Sequence, residues 1–253
     1  MSCPNCGAVL PEPPERFCPS CGADLEAPSP PTAPRPRPGT PWEDRGRIGF
    51  VQALVETTQK VLTGPSAFFA SMPVTGGIGG PLLYAIVVGS LGVIVAAVYR
   101  AVFRTLMGST FMSLGGGSEL RRLIPFVTGG VGLVVQVIFA PLFVILGLFI
   151  GSAIVHVMLL MLGGARQGFE ATFRVMCYRE ASAVIRVIPV CGDVAFVVYS
   201  LILAIIGLAA AHGIGMGKAA AAVLIPIVLL CCCCAGGAML AVGGLASLLS
   251  HVK

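Results

Sequence analysis

The sequence predicts an all-α polytopic membrane protein with five transmembrane helices, preceded by a small cysteine-rich module. Two observations lead to this prediction. Of the 253 residues, 56% are hydrophobic and only 11% are charged, whereas a soluble domain carries about 25% charged residues. In addition, apolar runs that are long enough to cross a bilayer recur after about residue 80.

The N-terminal module, residues 1–25, contains the pairs Cys3-Pro-Asn-Cys6-Gly and Cys18-Pro-Ser-Cys21-Gly. Two thiolates separated by two residues can bind one metal ion from a tight turn, in which glycine adopts the left-handed conformation. Two such turns supply the four sulfur ligands that zinc prefers. The spacing therefore predicts one zinc ion held by Cys3, Cys6, Cys18 and Cys21, and the module resembles a short zinc ribbon.

Several function classes are disfavoured by this module. Four protein ligands leave no open coordination position for catalysis, and a redox role would need a thioredoxin-like βαβ context that the sequence lacks. The basic residues form no stripe, although the formal net charge is +5, so no nucleic-acid partner is expected. Reduced thiolates indicate a reducing compartment, which predicts a cytosolic N-terminus, at the inner membrane if the cell is prokaryotic.

A proline-rich linker is predicted at residues 26–45, because proline at nearly every second or third position favours an extended polyproline II chain. The membrane domain then covers residues 46–250. It is expected to begin with an amphipathic helix at 48–62 that lies at the membrane interface.

The apolar runs predict five spans, at about residues 81–103, 134–162, 171–190, 194–211 and 220–242. A six-span alternative divides the apolar stretch from Ile124 to Leu162 at Pro141. Cys231–Cys234 lie within the fifth run, where successive helical positions point about 100° apart, so they cannot converge on one metal ion. We expect them to behave as small apolar residues.

The third span is unusual because it contains charged residues at membrane depth, namely Arg174, Arg179, Glu180 and Arg186. Such charges usually face a bundle interior or a water-filled cavity, which favours an intramembrane polar site. The alternative is a marginal helix whose arginines extend to the interface or pair with Glu180. The sequence contains no HExxH, no GxSxG and no paired catalytic carboxylates, so no enzymatic activity is predicted.

The second half of the chain resembles the YIP (Ypt/Rab-interacting-protein) domain. The resemblance is carried by a tyrosine in a polar helix, Ile-Pro before glycine, an Ile-Gly-Leu span that ends in histidine, and Lys-Ala before a final apolar helix. The positions that match this pattern are Tyr178, Pro189, Gly192, His212 and Lys218. An N-terminal zinc ribbon is similar to those of many prokaryotic members.

The resemblance implies five membrane helices, a cytosolic N-terminus and, for eukaryotic relatives, binding of small GTPases in vesicle traffic. This chain differs by its ribbon and its short proline-rich tail, so GTPase binding is carried over only as a remote alternative. The leading hypothesis is a non-enzymatic membrane scaffold or adaptor whose ribbon binds a protein partner, with oligomers left open. A small transporter or channel that uses the charged third helix is the second hypothesis, and a metal or redox sensor is the third.

One charge pattern conflicts with this orientation. With the N-terminus in the cytosol, four arginines follow the first span on the outside, against the usual bias of Lys and Arg toward the cytosolic side. They are Arg100, Arg104, Arg121 and Arg122.

Overall fold

The computed structural model describes residues 3, 5–10, 17–22, 37–111, 130–189 and 191–251. The chain divides into two compact units, Met1–Pro36 and Arg37–Lys253. Arg37 and the residues after it, which include part of the predicted linker at residues 26–45, belong to the second unit. Trp42, within the predicted linker, is fully buried there.

The first unit has almost no regular secondary structure in its described part. Val9 and Phe17 are single β-bridge residues, and the cysteine pairs form turns. A small buried cluster consists of Cys3, Leu10 and Cys18. So small a core cannot stabilise a fold alone, so the cysteines must contribute most of its stability.

The second unit begins with three short helices: α1 Arg45–Ile48, α2 Phe50–Thr63 and α3 Pro65–Ser71. Pro65 occupies the first turn of α3, where its missing N–H costs no hydrogen bond. The buried residues of α2 are Ala53, Thr57 and Val61, which follow the helical period. The predicted interfacial position of this helix stays a prediction.

Four long helices follow: α4 Gly79–Phe111, α5 Gly130–Met161, α7 Gly192–His212 and α8 Met216–His251. Within the described residues, each contains one stretch that is long and apolar enough to cross a membrane: Gly79–Phe103, Gly132–Met161, Gly192–His212 and Met216–Gly237. These stretches correspond to the first, second, fourth and fifth predicted spans.

The predicted third span, residues 171–190, has a different structure. It consists of α6, Phe169–Tyr178, followed by a 3-10 helix, Arg179–Val187, and it does not form one long apolar helix. The four charged residues explain why its hydropathy is lower. The helical rise is ~1.5 Å per residue in α6 and ~2.0 Å per residue in the 3-10 helix. The 19 residues therefore extend over about 33 Å, roughly the thickness of the hydrocarbon core of a bilayer.

This composite segment, α6 plus the 3-10 helix, runs beside α4 in the same direction. Near its start, Arg174 Nη1 donates to Gly77 O at 2.7 Å, and at its end Tyr99 OH donates to Val187 O at 2.8 Å. It therefore follows α4 over most of the length of that helix's apolar stretch.

The division of the second span at Pro141 is wrong. Helix α5 continues through Pro141 from Gly130 to Met161, so this proline does not separate two crossings. A proline in a long helix is tolerated where neighbouring groups satisfy the freed carbonyl.

Candidate metal centre and polar clusters

The four cysteines of the first unit converge on one point. Their sulfur atoms all lie within 4.8 Å of one another, and two pairs, Cys3–Cys21 and Cys6–Cys18, have Sγ···Sγ distances of 3.8 Å. A tetrahedral zinc site with Zn–S bonds of ~2.3 Å has sulfur–sulfur edges of about 3.8 Å. The four sulfurs therefore fit one zinc ion with no further ligand.

Backbone geometry explains how each pair forms. Gly7 and Gly22 follow the second cysteine of each pair with φ of 72° and 70°, the left-handed region that glycine adopts without strain. In each turn this glycine donates its N–H to the first cysteine's carbonyl, Gly7 to Cys3 O at 2.9 Å and Gly22 to Cys18 O at 2.8 Å. The two turns are thus built alike.

The surroundings of two of these thiols shift their pKa values. Backbone N–H groups of Asn5 and Cys6 lower the pKa of Cys3. At Cys6 the backbone N–H of Ala8 lowers the pKa, but the neighbouring sulfurs and desolvation raise it to about 12. Four thiols at this separation cannot all ionise without a cation between them, because each thiolate opposes the next. A dication supplies that charge, so the donor set suits zinc.

In the second unit, Arg174 is fully buried and serves as a structural clamp. Its Nε donates to Pro73 O at 2.7 Å, its Nη1 to Gly77 O at 2.7 Å, and its Nη2 to the Glu43 carboxylate. Glu170 Oε1 lies 3.9 Å from the same guanidinium. The predicted polar residue therefore joins α6 to the chain before α1 and before α4.

The other three charged residues of the predicted polar site lie farther along the composite segment. Arg179 Nε is 3.6 Å from Glu180 Oε1, and Arg186 Nε is 3.3 Å from Asp193 Oδ1. The Arg179 and Arg186 Nε atoms are buried and have no hydrogen bond of normal geometry, so these pairs are mainly electrostatic. Arg179 and Glu180 thus share one ion pair, whereas Arg174 and Arg186 pair with other residues.

Sequence reasoning missed a buried hydrogen-bond chain between three helices. Thr172 Oγ1 lies 2.9 Å from both His156 Nδ1 and His212 Nε2. The Gln167 N–H donates to His212 Nδ1 at 3.2 Å, which makes Nδ1 an acceptor and places the His212 proton on Nε2. Thr172 then accepts from His212 and donates to His156. No spacing along the sequence relates residues 156, 172 and 212.

The residues that matched the family pattern have different environments. Tyr178 is fully buried, and its OH lies 2.9 Å from Thr40 Oγ1. Pro189 and Gly192 lie at the junction between the 3-10 helix and α7, and Gly192 donates its N–H to Ile188 O at 3.0 Å. His212 is the last residue of α7, whereas Lys218 is exposed in the first turn of α8.

Cys231–Cys234 lie in α8 and are all exposed, within the stretch that is apolar enough to span a membrane. They do not converge with other ligands among the described residues, where the N-terminal cysteines form the metal-ligand group. Their predicted position within the fifth apolar run is confirmed, but in the described part of the chain they are not packed in the core.

Together these features define a multi-pass membrane protein. The part of the chain that the structure describes contains four long apolar helices, one composite helical segment and an N-terminal four-cysteine module. The chain matches the Yip1 domain over residues 60–238 and a zinc-ribbon domain over residues 1–25. It therefore belongs to the Yip1 domain family, as the sequence pattern predicted. No curated protein and no solved structure matches it significantly.

Proposed function

We propose that this Yip1 domain protein is a non-enzymatic membrane scaffold or adaptor, whose zinc ribbon faces the cytosol and binds a protein partner. The observation that carries the proposal is the closed four-sulfur site, in which Cys3, Cys6, Cys18 and Cys21 complete the tetrahedron. A zinc ion with four protein ligands is structural, so the ribbon acts through its surface.

The described surface of the ribbon offers two apolar side chains to a partner. Val9 is 85% exposed and Phe17 is 52% exposed, and both are β-bridge residues. In so small a unit they are available for contact, and an aromatic anchor of this kind is typical of protein interfaces.

The membrane unit supports the same proposal through its partnered charges. Arg174 is fully buried and has an acceptor for each of its three nitrogen atoms. A translocation pathway needs charged groups that solutes can reach, whereas this group connects segments of the chain.

The test is cross-linking and affinity capture of the full-length protein from its own membranes. The double variant Val9→Ser, Phe17→Ser should lose specific cross-linked partners while keeping one zinc per chain. Ser20→Ala changes another exposed ribbon residue and should retain them. If the double variant keeps every partner that ribbon deletion removes, the proposed surface is wrong.

Transport by the charged third segment is the second candidate, and one observation favours it. A Cβ placed on Gly89 of α4 would lie 3.4 Å from Glu180 Oε2, so this carboxylate sits well inside the helix bundle beside α4. Glu180→Gln and Arg179→Gln separate the two functions. Loss of an ion flux in vesicles, with zinc content and partner capture intact, would favour the transporter.

A further inference from the structure

A cavity of about 450 Å³ opens beside the C-terminal end of the apolar stretch of α4. Its walls come from three elements: α4, the end of the 3-10 helix, and the start of α7. Arg100 and Arg104 mark the end of the apolar run of α4 in the sequence, and Gly192 is the first residue of α7, so two span ends meet here. The cavity therefore lies at the depth where lipid headgroups meet the hydrocarbon core.

The charged residues that line the cavity are Arg100, Arg186 and Asp193, which together carry one net positive charge. Arg186 is held in place, because its Cζ lies 3.8 Å over the Phe196 ring and its Nε lies 3.3 Å from Asp193 Oδ1. Arg100 donates through Nε to Ala96 O at 3.1 Å. This bond anchors the guanidinium of a side chain that lines the cavity.

The rest of the lining is apolar and continues onto the outer surface. Val102, Phe103 and Ile188 are each at least half exposed. Leu91 and Val98 extend the same exposed face along α4, since residues 91, 98 and 102 are spaced at helical intervals. A charged recess thus leads directly into an apolar stripe that runs along the membrane span.

We infer that this cavity binds an anionic phospholipid, with its phosphate at Arg100 and Arg186 and an acyl chain along the α4 stripe. The volume is within the range of small-ligand sites, and the single positive charge matches one phosphodiester. Arginine forms charge-assisted hydrogen bonds to phosphate, which are stronger than neutral ones. The apolar stripe favours a lipid over free phosphate, because only a lipid can contact both the arginines of the cavity and the apolar face of α4.

The test uses the full-length protein purified in detergent. Thermal unfolding is followed while short-chain phosphatidylglycerol, short-chain phosphatidylcholine or inorganic phosphate is added. Phosphatidylglycerol should raise the melting temperature in a saturable way, and the other two should raise it much less. Arg100→Gln should weaken binding about tenfold, as expected for loss of one charge-assisted contact.

Two further variants control for folding. Arg47→Gln removes the same charge from α1, outside the cavity, and should bind as the wild type does. Asp193→Asn removes the competing carboxylate and should tighten binding, a gain that misfolding cannot produce. Equal stabilisation by phosphatidylcholine, an equal effect of inorganic phosphate, or unchanged binding by Arg100→Gln would each overturn the lipid site.

Discussion

Arg174 illustrates how this protein holds a charge in its interior. The guanidinium reaches carbonyl groups at Pro73 and Gly77 and the carboxylate of Glu43, which lie in two different segments of the chain. A buried charge is tolerated only when such bonds satisfy it. The planar fork of arginine can serve three acceptors at fixed angles, and a lysine ammonium cannot.

Arg174→Lys should therefore destabilise the membrane unit by roughly 2–3 kcal/mol, because at least one buried acceptor loses its donor. The measurement is thermal or denaturant unfolding in detergent. Arg47→Lys is the matched control, since the Arg47 side chain is 80% exposed in its pair with Asp44. Equal stability of the two variants would contradict the structural role of Arg174.

The chain from His156 through Thr172 to His212 makes a second prediction at this scale. Thr172→Val keeps the shape but removes the hydroxyl between two imidazoles, which should cost about 1–3 kcal/mol. Thr172→Ser should restore most of the stability. Thr63→Val is the control, because the Thr63 hydroxyl is exposed and bonds within its own helix to Gln59 O. Unchanged stability of the Val variant would contradict a role for the Thr172 hydroxyl.

The third residue-scale prediction concerns the metal. Cys18→Ser should reduce zinc from one ion per chain to almost none, because the remaining three thiolates leave the tetrahedron incomplete. Zinc is measured by elemental analysis of the purified protein. Cys191→Ser, which replaces an exposed cysteine of the membrane unit, should leave the zinc content unchanged. Full zinc content in Cys18→Ser would exclude the four-cysteine site.

At the scale of elements, glycines set how closely the composite segment approaches its neighbours. A Cβ on Gly92 of α4 would lie 2.6 Å from Ala183 Cβ and 2.9 Å from Ala183 O. On α7, a Cβ on Gly207 would lie 2.5 Å from Val175 Cγ1. Small residues permit such backbone approach between membrane helices, where packing rather than hydrophobic exclusion drives association.

Gly92→Ala should consequently destabilise the bundle by about 1–3 kcal/mol, through overpacking against a backbone that cannot move freely. Gly147→Ala in α5 is the matched control, since a Cβ there meets nothing within 4 Å. Alanine is the better helix former, so the control should be neutral or slightly stabilising. Thermal unfolding in detergent compares the two variants. Similar melting temperatures would show that α4 and the 3-10 helix can move apart with no loss of stability.

At the scale of the whole membrane unit, the contacts give each segment a direction. The composite segment runs with α4, while α5 and α7 both bring a histidine to Thr172 near its start, so these two run the opposite way. Only the residues 213–215 separate α7 from α8. The composite segment is long enough to form the predicted third crossing, although it is not one apolar helix.

We therefore expect the ends of α4 and α8 on one side of the membrane, opposite the N-terminus, which we propose lies in the cytosol. Cysteines introduced at positions 115 and 251, with the exposed native cysteines of the membrane unit replaced by alanine, should both react with an impermeant reagent from outside. Position 115 lies outside the described residues. Reaction of only one position would contradict five crossings.

Composition and motif spacing were sufficient to predict the membrane helices, the metal site and the family of this protein. Long apolar runs can be buried only in a bilayer or a bundle, which is why four of the five predicted spans coincide with helices. The two Cys-x-x-Cys turns are local, so the four-sulfur site could be predicted from spacing alone. The family followed from a pattern of residues along one half of the chain.

Only the tertiary structure decided the roles of the polar residues. Arg174 meets Glu43 across 131 positions, and His212 meets Thr172 across 40, so no local period could relate them. The close approach of the composite segment to its neighbours is likewise tertiary, because Gly92 leaves room for the 3-10 helix beside α4 and Gly207 leaves room for α6 beside α7. Sequence determines which groups must be satisfied, and long-range contacts determine which partners satisfy them.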